Sequence, residues 1–114
     1  MRKAYVALGW TWAAAIAWLS LAPSLPSVEV AYGDKLGHLA AYGLLMFWFA
    51  QLYALTRTRL AHGIFFVVMG IALELAQGQT GYRTFDALDM AANALGVLLG
   101  WAVSAFTPRL IPSR

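Results

Sequence analysis

Four long apolar runs constrain this chain more than any other feature. Ala4–Ala22 carries no charge. Leu36–Leu55 holds one histidine, His38. Leu60–Ala76 has His62 and Glu74 near its two ends, and Leu88–Phe106 has Asp89 near its start. A helix crossing a bilayer needs about 20 mostly apolar residues, with about 17 as the lower limit, because lipid offers the backbone no hydrogen-bond partner. All four runs meet that requirement. Composition agrees: 61% of the 114 residues are hydrophobic and 11% are charged. Soluble domains average about 45–50% apolar and about 25% charged. A disordered protein, a nucleic-acid-binding arm and an ordinary soluble enzyme are therefore excluded as readings. The expectation is one all-α integral membrane domain over residues 1–114. Its four transmembrane helices, about 4–22, 36–55, 60–76 and 88–106, form an antiparallel bundle in the lipid bilayer.

The charges predict an orientation. All eight basic residues lie outside the runs. Arg2, Lys3, Arg57, Arg59, Arg109 and Arg114 fall on one side of the bundle, and only Lys35 and Arg83 on the other. By the positive-inside rule both termini are expected in the cytoplasm. The five acids, Glu29, Asp34, Glu74, Asp86 and Asp89, all map to the outer end. The first run follows Met1-Arg2-Lys3 as a signal peptide would. Its length exceeds an h-region of about 7–15 residues, and Pro23 suits cleavage poorly, so a retained helix is expected. The TRTR segment, residues 56–59, reads as a short loop making the second and third helices antiparallel neighbours. Thr84 or Asp86 is expected to cap the last helix. The chain has no cysteine, so thiolate nucleophiles and cysteine-held metals are excluded.

Polar residues fall on one stripe of each helix. Asp34, His38, Ala41, Tyr42 and Leu45 share a face of the second helix. Gly63, Val67, Gly70, Glu74 and Gln77 do so on the third, and Asp86, Asp89, Asn93, Gly96 and Gly100 on the fourth. An ionisable side chain in a span normally faces the bundle interior or a water cavity. With a rise of about 1.5 Å per residue, Tyr42 and Asn93 lie roughly 8–9 Å below the outer rim. Asp34, His38, Tyr42, Glu74, Gln77, Arg83, Asp86, Asp89 and Asn93 are the candidate lining of one outer-leaflet pocket.

Each feature also has a plainer explanation. Gly70, Gly96 and Gly100 read as helix-packing residues, as do Gly9, Ala13, Ala17 and Ser20 on the first helix. The five tryptophans read as lipid-facing or interfacial, and His62 as an interfacial histidine. For the acids the plain explanation is structural pairing with Arg83. The four carboxylates Asp34, Glu74, Asp86 and Asp89 outnumber the two cations Lys35 and Arg83. Structural pairing alone should balance its charge, so the excess favours a ligand site.

Three blocks carry a family resemblance. They are DKLGHLAAYGLL at 34–45, ELAQ at 74–77 and GYRTFDALDMAANALGVLLG at 81–100. In this order they resemble the VanZ-like family, named for a teicoplanin-resistance protein of bacteria. The resemblance implies a small multi-pass protein of the bacterial cytoplasmic membrane. It marks Asp34, His38, Tyr42, Glu74, Gln77, Arg83, Asp86, Asp89 and Asn93 as signature positions. It brings no settled reaction and no cofactor.

Two functions from different classes fit these residues. The leading one is binding or modulating a cell-envelope component, a lipid-linked sugar or lipid headgroup, with a glycopeptide as the partner implied by resemblance. Carboxylates and amides suit hydroxyls, and Arg83 suits a phosphate. The alternative is a membrane-embedded enzyme using Asp, Glu and His as acid and base. No metal-binding spacing such as H-E-x-x-H is present, so no metal is expected. Ion passage is disfavoured because the inner halves of the spans show no matching polar path. A structural protein without a ligand is the remaining reading.

Overall fold

The computed structural model is all-helical and describes residues 2–21, 33–53, 55–79 and 87–108; for Arg2, Ser20, Leu21, Gly33, Asp34, Lys35 and Gln77 it describes the backbone alone. Four helices follow one another: α1 (Arg2–Leu21), α2 (Gly33–Leu52), α3 (Thr56–Gln79) and α4 (Ala87–Ala105). Two are long and apolar enough to cross a membrane, over Thr56–Ala76 and Ala87–Ala105; Leu36–Leu52 of α2 is apolar but shorter.

One boundary differs from the sequence reading in kind. Thr56–Arg59 is the first turn of α3, not a loop. Between the two helices the described residues outside them are Tyr53 and Leu55. Hydrogen bonds explain the shift. Arg59 N donates to Leu55 O at 3.0 Å, which starts the α3 ladder before apolarity begins. The Arg59 Nε also donates to Ala50 O (3.0 Å) and Tyr53 O (2.7 Å). Carbonyls at the end of α2 have no onward helical partner, and this guanidinium supplies one. Apolar runs mark what lipid can cover, whereas helix ends are set by backbone partners. α2 likewise begins three residues before its apolar run and ends three residues sooner.

Consecutive helices run antiparallel. Trp48 Nε1 donates to Tyr5 O (2.7 Å) and Trp12 Nε1 to Ala41 O (3.1 Å), tying α1 to α2 in opposite directions. These two tryptophans thus do more than face lipid. Trp18, 70% exposed, fits the simpler expectation. A tilted ring contact of Phe49 with Phe66 and stacking of Tyr53 on His62 set the α2–α3 register.

The most intimate contact joins α2 and α4, which are not consecutive and run parallel. Glycine makes it possible. A Cβ at Gly96 would collide with the backbone oxygen of Leu39, and one at Gly100 with that of Gly43. Gly43 itself lies against Gly96 O, 3.3 Å from where its Cβ would be. Only residues without side chains let two helix backbones come this close. α3 packs into the seam of this pair, and α1 lies on α2 and α3.

The core follows α2. Tyr42, Leu45, Met46, Phe49, Ala50 and Leu52 are buried there, with Phe66 from α3, Val97 from α4, and Ala13 and Ile16 from α1. The outward faces are apolar as well. Leu44, Ile64, Phe65, Val68, Leu98 and Val103 are all exposed. An exterior of this kind suits lipid rather than water.

Candidate functional site

Five of the nine candidate side chains are described, and all five lie toward the same end of the bundle. His38 and Tyr42 come from α2, Glu74 from α3, and Asp89 and Asn93 from α4. Asp34 and Gln77 belong to α2 and α3, but their side chains lie outside the described residues, as do Arg83, Asp86 and the expected α4 cap.

Burial is deep for groups of this polarity. Tyr42 and Glu74 are 1% exposed, Asn93 3% and Asp89 6%. His38 is half-buried at the rim. Its Nε2 stands 3.8 Å from Asp89 Oδ2, linking the second turn of α2 to the first turn of the parallel α4. Asp89 also occupies the first turn of α4, where a negative charge is favoured by the helix dipole.

Gly70 sets the α3–α4 side of the site. A Cβ at Gly70 would lie 3.0 Å from both Cβ and Nδ2 of Asn93, so the glycine makes room for the amide. The same antiparallel register puts Glu74, one turn further along α3, level with Asp89, one turn back along α4. Across α2, the Glu74 carboxyl is close enough to act electrostatically on Tyr42. The result is a polar layer of two carboxyls, a phenol, an imidazole and an amide between three helices.

Asn93 Oδ1 is buried and has no hydrogen-bond partner among the described residues. Buried polar atoms in native proteins nearly always have one. Among the described residues, no three of His, Asp and Glu converge as a metal ion would require.

A second buried polar group lies at the opposite end, and the sequence reading passed over it. Gln51 (1% exposed) donates from Nε2 to Ser104 Oγ at 3.1 Å. The signal was available, because Ser104 continues the stripe of Asn93, Gly96 and Gly100 by one more turn. Nearby, His62 stacks on Tyr53 (ring centroids 4.8 Å apart) and Phe49 (5.0 Å), and its Nδ1 lies 2.9 Å from Thr58 O. His62 is thus a packed aromatic partner and not merely an interfacial residue.

No family model matches the chain, and no solved structure does. An alignment 89 positions long, covering 73% of the chain, is 37% identical to an uncharacterized protein of the fission yeast Schizosaccharomyces pombe. It covers 51% of that protein, so the chain spans about half the length of the relative it matches.

Proposed function

We propose that this is a four-span membrane protein of the VanZ-like kind, with both termini in the cytoplasm and a polar site opening toward the outer leaflet. The site binds or modulates an envelope component, a lipid headgroup or a lipid-linked sugar. The observation that carries this reading is the layer of Glu74, Asp89 and Asn93, buried together at one end of an apolar bundle. Burying two carboxyls in such surroundings opposes stability unless they do something there. The 37% identity to a yeast protein favours a component common to bacterial and yeast membranes over a bacterial wall glycopeptide. In a bacterium the location would be the cytoplasmic membrane.

Identification by mass spectrometry of lipids retained through purification tests the binding reading. A reproducible headgroup class on the parent protein, lost from Glu74→Gln, is the expected result. Random carry-over equal in both proteins contradicts it. Orientation has its own test, since the chain lacks cysteine. A cysteine at Ser27 should react with an impermeant thiol reagent in intact cells, and one at Ser113 should not. The reverse pattern would turn the site toward the cytoplasm.

The His38–Asp89 pair supports a catalytic second reading, since an imidazole 3.8 Å from a buried carboxylate is a plausible acid–base couple. Exchange of a labelled headgroup by purified protein decides it. A binder protects the lipid without forming product.

A further inference from the structure

We propose that the ligand group at this polar layer is a primary ammonium, recognised by its N–H donors. The inference rests on the reading of the layer as a headgroup site and names the headgroup's chemistry.

Asn93 provides the independent observation. Its amide nitrogen is seated in the space that Gly70 leaves. Its Oδ1 remains buried and lacks a hydrogen-bond partner among the described residues. An amide oxygen accepts hydrogen bonds and never donates them. What completes it is therefore a donor. The two buried carboxyls one turn away, Glu74 and Asp89, are also acceptors when ionised. Besides the Asn93 amide nitrogen, the side-chain donors of the layer among the described residues are Tyr42 and the rim residue His38, both on α2. An ionised phosphate or carboxylate offers acceptors only and cannot complete an amide oxygen. A primary ammonium carries three donors and a positive charge. A quaternary ammonium has the charge without a donor, and a polyol has donors without the charge.

That separation makes three ordinary lipids a direct test. Phosphatidylethanolamine, phosphatidylcholine and phosphatidylglycerol share a phosphate and a diacylglycerol body. They differ in ammonium donors, in charge without donors, and in hydroxyl donors without positive charge. Each is titrated into the purified, lipid-stripped full-length protein in detergent, and binding is followed by native mass spectrometry. Phosphatidylethanolamine should bind about tenfold tighter than either of the others, the effect of one charge-assisted hydrogen bond to a desolvated acceptor. Asn93→Val should reduce that preference to about twofold or less, because it removes the acceptor. The lipid comparison uses the parent protein, so it stands even if the variant folds poorly.

Equal binding of the ethanolamine and choline lipids overturns the donor claim and leaves a headgroup site. Tightest binding of the glycerol lipid overturns the ammonium claim in the same way. Saturable binding of none of the three removes the headgroup reading itself.

Discussion

The two ends of the bundle bury polar groups in opposite ways. At the aromatic end Gln51 meets Ser104, Arg59 closes the last carbonyls of α2, and His62 lies between Tyr53 and Phe49. Each of these groups has a partner that is itself part of the fold. At the acidic end Glu74, Asp89 and Asn93 are equally buried, yet the Asn93 oxygen lacks a hydrogen-bond partner among the described residues. Satisfied polar groups specify a structure, whereas incompletely satisfied ones oppose it and persist for another reason. Function is therefore sought at the acidic end and architecture at the aromatic end.

The seam joining the two ends should be the most sensitive part of the molecule. Gly100→Leu places a side chain where the Gly43 carbonyl lies, a backbone contact that cannot yield locally. Overpacking a core typically costs about 1–3 kcal/mol, and more where the neighbour is backbone. The variant should fail to accumulate as folded protein in membranes. Normal accumulation would mean that α2 and α4 do not touch in this way.

A double-mutant cycle at the aromatic end comes next. Gln51→Leu and Ser104→Ala should each destabilise the protein, and the double variant should lose less than their sum. Interhelical hydrogen bonds in membranes are worth about 0.6 kcal/mol on average and up to about 1.7 kcal/mol, which bounds the coupling. Strict additivity would show that the 3.1 Å contact contributes nothing.

Asp89→Asn belongs to both categories. It removes a charge from the first turn of α4 and from the pair with His38. A loss of about 0.3–1 kcal/mol is expected from the dipole alone, along with loss of lipid retention. Detergent unfolding and lipid analysis of the same preparation read both effects. The smallest stability effect is expected for Glu74→Gln, which keeps the shape and removes the charge. It should be no less stable than the parent, because an ionised carboxyl is costly to bury in an apolar bundle, and it should lose the retained headgroup. Lower stability with lipid retained would make that carboxyl structural.

Much of this division was legible in the sequence. The spacing of Tyr42 and Leu45, of Gly63, Gly70 and Glu74, and of Asp89, Asn93, Gly96 and Gly100 assigns each to an inward stripe, and all are buried. Helical periodicity reports which face is turned inward, and that places Tyr42, Glu74, Asp89 and Asn93 in the interior. It does not report which helix a face meets. The parallel α2–α4 contact therefore lay beyond reach, although Gly43, Gly96 and Gly100 were in plain view. Ser104 continues the stripe of Asn93, Gly96 and Gly100, but its role becomes evident only once its partner Gln51 is known. The indole hydrogen bonds of Trp12 and Trp48 were hidden for a similar reason, since their acceptors are backbone oxygens of another helix. The start of α3 differs because apolarity begins only at Leu60, while backbone hydrogen bonding already runs through Thr56–Arg59.

The most direct test of the division is the unfolding free energy of Asn93→Val in lipid-stripped protein. The substitution replaces a buried amide, whose oxygen has no hydrogen-bond partner among the described residues, with an apolar group of similar size. Relief of a buried unsatisfied polar group is worth about 1–3 kcal/mol, less any misfit against Gly70. The stripped variant should therefore be as stable as the parent or more so. A loss of about 1 kcal/mol or more, the size of a satisfied hydrogen bond, would show that Asn93 holds the fold together and that the two ends are built alike.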